Sequence, residues 1–228
     1  MYSNMLVSFR HNLIFLKSKK TAGTSSEAFF QEALWGERPT HKQGWKVYED
    51  GFCTPRVGLV DPSIAQRFNI VTAGKLPGKS FWKIRNLNKH SEPDQIRSSL
   101  GEKFWETSNK IVNVRNPFEL LVSRYFYVRR STRNKSDFEE WLRRDPLKPF
   151  PVPLRDDSFS LIRYENLQQD LTRAVMSLGL VIPDQLARYK SECRPEWAQD
   201  YRIFYTLGTR RFVEDLYAEW LQVLGYRF

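Results

Sequence analysis

The sequence predicts an α/β fold in which helices flank a central parallel sheet within a single domain. Short apolar runs of strand length alternate along the chain with longer segments of helical character, as in parallel α/β proteins. The chain has 228 residues, which is enough for one sizeable core. Its 41% hydrophobic and 14% aromatic content favours a packed domain over disorder. We therefore expect one domain that covers residues 1–228.

The first predicted elements are a strand, a turn and a helix near the start of the chain. Residues 11–17 contain a short apolar run typical of a buried strand, and residues 24–35 have helical character. Thr24 is the predicted N-cap of this helix, and Glu27, three residues later, is its predicted capping-box partner.

A second junction between a strand and a helix lies near the middle of the chain. Residues 110–114 form a continuous run rich in β-branched side chains, as expected for a central parallel strand. Asn116 then caps a helix, Pro117 takes its first position, and Glu119 stands where a capping partner belongs. The same rules predict further strands at 68–73 and 158–163 and further helices at 93–101, 137–144, 165–178, 184–192 and 200–224.

Both junctions are candidate anion-binding sites, because ligands of parallel α/β sheets bind beyond the carboxyl ends of the strands. The first junction combines a basic cluster, a glycine-containing turn and hydroxyl residues: Lys17, Lys19, Lys20, Thr21, Ala22, Gly23, Thr24 and Ser25. Backbone N–H groups, a helix N-terminus and a lysine charge can together hold a phosphate-like group. An ordinary basic turn between a strand and a helix is the alternative interpretation.

The order of residues in the first junction resembles the 5′-phosphosulfate loop of sulfotransferases that use 3′-phosphoadenosine 5′-phosphosulfate (PAPS). In the nucleotide-hydrolase loop, G-x-x-x-x-G-K-[ST], the lysine follows the glycines, whereas here Lys20 precedes Gly23. The resemblance implies a P-loop-like central sheet, PAPS as co-substrate and no metal. It implies that Lys20 is catalytic and stabilises the leaving phosphate. The implied donor-binding residues are Lys20, Thr21, Ala22, Gly23, Thr24 and Ser25.

The second junction also resembles this family. Its sequence, Val114-Arg115-Asn116-Pro117-Phe118-Glu119-Leu120-Leu121-Val122-Ser123, is similar to the 3′-phosphate motif of carbohydrate sulfotransferases. This implies that Arg115 and Ser123 bind the 3′-phosphate of the donor, and an arginine fork and a hydroxyl suit that group. The segment departs from the family pattern at Leu120, where a basic residue is usual.

The predicted general base for the acceptor hydroxyl is His90. It lies in a segment that resembles the region just before the 3′-phosphate motif in carbohydrate sulfotransferases, where a histidine serves as base in some members. Histidine, with an ordinary pKa of about 6.5, can take a proton near neutral pH. A carboxylate, Glu27 or Asp61, is the alternative base, although helix capping already explains Glu27.

The resemblance leaves part of the chain unassigned. It covers residues 13–30, 88–127, 159–178 and 200–228. Residues 31–87 and 131–157 match nothing in the family pattern, and such variable stretches of the family often shape the acceptor site. The resemblance implies a hydroxyl acceptor on a carbohydrate.

Charge and cysteine content limit the classes of partner and the cellular compartment that the sequence predicts. The formal net charge of +10 favours anionic partners such as nucleotides or acidic glycans, or it serves only solubility. Cys53 and Cys193 are far apart and form no C-x-x-C pair, so neither a disulfide framework nor a zinc site is expected. No apolar segment is long enough to span a membrane and no secretory pattern is visible, so we expect a cytoplasmic enzyme without a nucleic-acid partner. The lumenal domain of a Golgi enzyme is the alternative.

Three rival functions remain at this stage. A P-loop nucleotide kinase would require the G-K-[ST] order and a magnesium-binding aspartate after an apolar strand, where this chain has Asn113-Val114-Arg115. A non-catalytic basic module for nucleic acid or acidic glycan would bind with steep salt dependence and without preference for a 3′-phosphate. A sulfotransferase-like protein without activity would keep the fold alone. The resemblance favours a sulfotransferase domain over residues 1–228.

Overall fold

A computed structural model describes most of the chain and divides it into two compact units. The described residues are 5–36, 46–48, 50–54, 59–75, 80–85, 87, 91–132, 136–187, 189 and 194–228. One unit comprises Met1–Asn113 with Asp156–Tyr189, and the other comprises Val114–Arg155 with Lys190–Phe228. The single domain expected for residues 1–228 stays a prediction.

The described strands form a six-stranded sheet and a three-stranded sheet. The strands are β1 (Met5–Ser8), β2 (Leu13–Leu16), β3 (Lys46–Tyr48), β4 (Gly51–Thr54), β5 (Leu59–Val60), β6 (Thr72–Lys75), β7 (Trp82–Ile84), β8 (Asn109–Val114) and β9 (Phe159–Arg163). The larger sheet has the order β3-β4-β1-β2-β8-β9, and the smaller has the order β5-β7-β6. The predicted strands at 11–17, 110–114 and 158–163 are thus confirmed within a residue or two.

The larger sheet is mixed, so the prediction of a parallel central sheet is wrong in part. Strands β2 and β8 pair in parallel, whereas β1 runs antiparallel to both β2 and β4, and β3 runs antiparallel to β4. The reason is a tight hairpin that reverses the chain between β1 and β2. Asn12, with φ of 47°, supplies the left-handed residue of this turn, a conformation that asparagine tolerates.

The helices, together with the strands, confirm the predicted α/β class. They are α1 (Gly23–Trp35), α2 (Pro62–Phe68), α3 (Pro93–Leu100), α4 (Glu102–Thr107), α5 (Pro117–Thr132), α6 (Phe138–Arg144), α7 (Leu167–Ser177), α8 (Leu207–Leu216) and α9 (Ala218–Leu224). In the first unit, α1 and α7 pack on the larger sheet. The buried residues of this layer are Leu6, Leu13, Phe15, Phe29, Phe30, Ile111, Ile162, Leu171, Ala174 and Val175.

Three predicted elements differ from the structure. The strand expected at 68–73 begins only at Thr72, because α2 extends to Phe68 and Asn69 ends it in the left-handed conformation. The described residues within 184–192 are not helical. The long helix expected at 200–224 is divided into a 3-10 turn at Tyr201–Phe204 followed by α8 and α9.

The second unit contains a core of packed aromatic rings. The rings of Phe118, Tyr205 and Phe228 lie edge to face, with centroids 5.0–5.5 Å apart. The Tyr205 hydroxyl donates to the Phe118 carbonyl at 2.9 Å, and the Tyr217 hydroxyl donates to the Leu147 carbonyl. Burial raises the pKa of both phenols well above the ordinary value.

These tyrosines predict a loss of stability at alkaline pH. Above pH of about 10 the phenols ionise in the unfolded chain but stay protonated in the folded one, so the folded state binds more protons and unfolding becomes easier as pH rises. Each phenol should remove about 1.4 kcal/mol of unfolding free energy per pH unit in that range.

Urea denaturation between pH 8 and pH 11 would measure this decline in the free energy of unfolding. The Tyr217→Phe variant should show a shallower decline than wild type, whereas exposed Tyr164→Phe should not. Equal slopes for all three proteins would contradict the prediction.

Candidate functional site

The loop between β2 and α1, residues 17–22, is the centre of the candidate site and is called the anion loop below. Because β2 and β8 are parallel neighbours, with Leu16 opposite Val112, their carboxyl ends lie at the same edge of the sheet. The anion loop leaves β2 at this edge and leads directly into α1. Ligands of α/β sheets bind at such edges.

The backbone of the anion loop turns through two left-handed residues. Lys20 has φ of 64° and Ala22 has φ of 62°, and neither is glycine. This conformation costs about 1–2 kcal/mol for each such residue. It persists only where surrounding contacts determine it, and residues of this kind cluster at binding sites.

Hydrogen bonds to β8 hold the anion loop in place. The Ser18 Oγ donates to the Asn113 carbonyl at 2.6 Å, and the Thr21 Oγ1 donates to the Ser18 carbonyl at 3.2 Å. In return, the Asn113 Nδ2 donates to the Thr21 carbonyl and to the Ser26 Oγ, each at 2.7 Å. All four side chains are buried. The Thr21 hydroxyl, predicted to bind the donor, therefore also shapes the loop.

The N-terminus of α1 has no side-chain cap in the described part of the chain. Ala22 is its N-cap residue. The prediction that Thr24 caps the helix with Glu27 as partner is therefore wrong, because the helix already begins at Gly23. The first turn carries no acidic residue, so its N–H groups and the helix dipole favour negative charge.

Gly23 is required because a lysine side chain passes over it. A Cβ atom at this position would lie 2.6 Å from the Cγ of Lys17. The Lys17 ammonium continues to an ion pair with Glu27, and the two side chains are only 5% and 4% exposed. This buried pair connects the start of the anion loop to the second turn of α1. No local sequence pattern predicts Lys17 as a partner of Glu27.

The predicted donor-binding residues, which are consecutive from Lys20 to Ser25, form the end of the anion loop and the start of α1. Lys20, Ala22 and Thr24 are half-buried, whereas Gly23 and Ser25 are buried. The Ser25 Oγ accepts a hydrogen bond from the Tyr189 backbone N–H at 3.3 Å. The segment therefore presents backbone and lysine groups, while its hydroxyls are partly used within the protein.

The second motif lies at the start of the second unit. Arg115 follows β8 directly, is buried, and donates from Nη2 to the Glu119 Oε1 at 2.9 Å. Arg194 contacts the same carboxylate at 2.6 Å. As predicted, Asn116 caps α5, and its Oδ1 accepts from the Phe118 N–H at 3.0 Å. Glu119 thereby fixes the orientation of the Arg115 guanidinium.

Ser123, the other predicted contact of the 3′-phosphate, is half-buried on α5. It follows Glu119 by four residues, so both side chains lie on the same face of the helix. Arg115 precedes Glu119 by the same interval. Arg115 itself precedes α5 and is buried, so Ser123 shares a helix face only with Glu119, the carboxylate that holds the Arg115 guanidinium.

The structure bears differently on the three candidate general bases, His90, Glu27 and Asp61. His90 lies outside the described residues, so its role stays a prediction. Glu27 is engaged by the buried Lys17 ammonium. Asp61 caps α2, and hydrogen bonds from the Ser63 hydroxyl and backbone N–H lower the pKa of its carboxyl group. A lowered pKa weakens a general base, so the structure gives Asp61 a capping role.

The described part of the chain contains neither a candidate membrane span nor a candidate metal-binding cluster. No helix there is long and apolar enough to cross a membrane. In the same residues, no group of three or more His, Cys, Asp or Glu side chains could hold a metal ion.

The chain was also compared with known proteins. Comparison with family models, with curated proteins and with solved structures gave no significant match.

Proposed function

We propose that this protein is a sulfotransferase that moves a sulfuryl group from PAPS to a hydroxyl group of a carbohydrate acceptor. The observation that carries the proposal is the anion loop. It combines Lys20, two left-handed residues and an uncapped helix N-terminus at the carboxyl ends of β2 and β8. Such a loop suits the phosphosulfate end of the donor. A P-loop-like arrangement around β2 and β8 is part of the proposal.

Lys20 and the anion loop would act on the reacting end of the donor. In the transfer, the acceptor oxygen bonds to sulfur as the bond from sulfur to the bridging oxygen breaks, leaving adenosine 3′,5′-bisphosphate. The backbone N–H groups at the start of α1 would position the phosphosulfate. Lys20 would offset the negative charge that grows on the leaving phosphate. His90 would take the proton of the acceptor hydroxyl.

Arg115 and Ser123 would bind the 3′-phosphate of the donor. The guanidinium of Arg115 is held by Glu119, so it can meet a phosphate without a large loss of side-chain freedom. The Ser123 hydroxyl, two helical turns from the start of α5, would donate to a phosphate oxygen. This group distinguishes PAPS and its product from ordinary adenine nucleotides.

A specific residue disfavours the kinase alternative. Asn113 occupies the place where a kinase would carry a magnesium-binding aspartate, and its amide donates to Thr21 and Ser26. Phosphoryl transfer by P-loop enzymes depends on a metal held near the phosphates. The order of residues in the anion loop also differs from that of the kinase loop.

Turnover of labelled donor tests the proposal. Wild-type protein would be incubated with ³⁵S-labelled PAPS, a mixture of desulfated glycans and a chelator, beside parallel samples with γ-labelled ATP and magnesium. We expect labelled sulfate on the glycans and release of adenosine 3′,5′-bisphosphate with the chelator present. Consumption of ATP and magnesium without consumption of PAPS would support the kinase instead. Consumption of neither would overturn the enzymatic proposal.

A further inference from the structure

Asn113 is a fully buried polar residue near the carboxyl end of β8, which lies between β2 and β9 in the larger sheet. Its side chain is 0% exposed, on a strand whose neighbouring residues Val112 and Val114 are apolar. Buried amides are costly unless they form hydrogen bonds. The side chain therefore needs an explanation in terms of its partners.

The partners of Asn113 fix which way its amide faces. A carbonyl oxygen can only accept a hydrogen bond, so the atom 2.7 Å from the Thr21 carbonyl must be the Nδ2 of Asn113. The second hydrogen of Nδ2 is directed to the Ser26 Oγ at 2.7 Å. Both donors of the amide are thus used on the anion loop and on the first turn of α1.

These two bonds lie beside the two left-handed residues of the anion loop. Thr21 is the residue between the two left-handed residues, Lys20 and Ala22. Ser26 lies on the first turn of α1, and its N–H donates to the Ala22 carbonyl at 3.1 Å. Asn113 therefore holds the loop on one side of Ala22 and the helix on the other.

The remaining polar atom of Asn113 argues against a purely structural role. Within the described part of the chain, its Oδ1 is buried without a hydrogen-bond partner. An apolar side chain would avoid the cost of burying that oxygen. The amide is explained if the two hydrogen bonds that hold the anion loop outweigh the free-energy cost of burying the unpaired oxygen.

We infer that Asn113 is a positioning residue, which holds the anion loop in the conformation that binds the phosphosulfate of the donor. This inference rests on the proposed function for its ligand. It does not require Asn113 to touch the donor, because the residue acts through the Thr21 carbonyl and the Ser26 hydroxyl.

The test compares Asn113→Leu with a matched control on the same strand. Leucine fills a similar volume but donates no hydrogen bond. The control is Lys110→Met: Lys110 is 2% exposed and donates to the Trp105 and Ser108 carbonyls at 2.7 and 2.8 Å, away from the anion loop. Both substitutions remove two buried hydrogen bonds from β8, so both should lower stability.

Kinetic constants separate positioning from stability. In Asn113→Leu the anion loop should adopt its binding conformation only about a tenth of the time, so the KM for PAPS and the Kd for adenosine 3′,5′-bisphosphate should rise about tenfold, while the acceptor KM stays constant. Lys110→Met should lower the active fraction without changing either constant. A double variant with Ser26→Ala should be less than additive for the donor, because the two side chains share one bond.

Hydrogen exchange distinguishes failure of the inference from failure of the proposed function. Backbone exchange across residues 17–27 should become faster in Asn113→Leu and stay unchanged in Lys110→Met. If exchange increases there but wild type binds no bisphosphate, the loop-holding role stands and the sulfotransferase proposal falls. If wild type binds the bisphosphate, and Asn113→Leu changes neither exchange nor donor constants, the inference is overturned alone.

Discussion

Replacement of Lys20 by alanine is expected to lower kcat for sulfuryl transfer by about 10²–10³-fold, the usual loss when one group that stabilises developing charge is removed. Lys20 lies in the anion loop immediately before the N-terminus of α1, where the leaving phosphate of the donor would gain charge. Alanine carries a Cβ as lysine does, so the left-handed backbone at this position gains no new strain. Initial rates at saturating PAPS would measure the loss.

The control for this prediction is Lys103→Ala. Lys103 is exposed on α4, so its replacement changes the net charge equally without touching the anion loop. We expect Lys103→Ala to keep the wild-type rate and both variants to keep the wild-type melting temperature. Equal rates for Lys20→Ala and Lys103→Ala would show that Lys20 does not stabilise the leaving group.

Replacement of Glu27 by glutamine is expected to cost about 3–5 kcal/mol of unfolding free energy, because it leaves the buried Lys17 ammonium without its charged partner. The two side chains are 5% and 4% exposed, so water cannot replace the lost carboxylate. The stem of Lys17 also lies against Gly23, which limits the room for the ammonium to move away. Urea denaturation at neutral pH would measure the loss.

Two further variants show whether the loss of stability comes from burial of the unpaired Lys17 charge. Glu139 pairs with Arg143 on the exposed surface of α6, and Glu139→Gln should cost no more than about 1 kcal/mol. The double variant Lys17→Met with Glu27→Leu should recover most of the stability, since apolar groups of similar size commonly replace a buried ion pair at little cost. A loss at Glu27 no larger than that at Glu139 would contradict the buried pair.

The elements that the sequence predicts well are those with strong local signals. The apolar run before the anion loop, the run at 110–114 and the Asn116-Pro117 start of α5 all give their own boundaries, and the structure confirms them. The hairpin that places β1 next to β2 was not predicted, since the mixed composition of the first residues conceals a fully buried strand. Strand direction depends on distant pairing, which local patterns do not contain.

In the candidate site, too, contacts between neighbours in the sequence could be predicted, whereas contacts between distant residues could not. Residues 20–25 are contiguous, so their motif is visible in the sequence. Asn113 lies 92 residues from Thr21, and only folding brings them together. One signal could have identified it: an amide side chain among the apolar residues Ile111, Val112 and Val114 requires a buried partner. Likewise, Lys17 and Glu27 stand ten residues apart across a turn, a separation that no helix or strand period predicts.

The central claim is that Arg115 and Ser123 bind the 3′-phosphate of PAPS, and calorimetric titration tests it most directly. Wild-type protein would be titrated with adenosine 3′,5′-bisphosphate and with AMP, which differ only in the 3′-phosphate. We predict that the bisphosphate binds about 10–100-fold more tightly, the contribution of charge-assisted hydrogen bonds to that group. Arg115→Ala should abolish the preference, whereas Arg144→Ala, an exposed arginine on α6, should retain it. Equal affinity for the two nucleotides, or binding of neither, would contradict the claim.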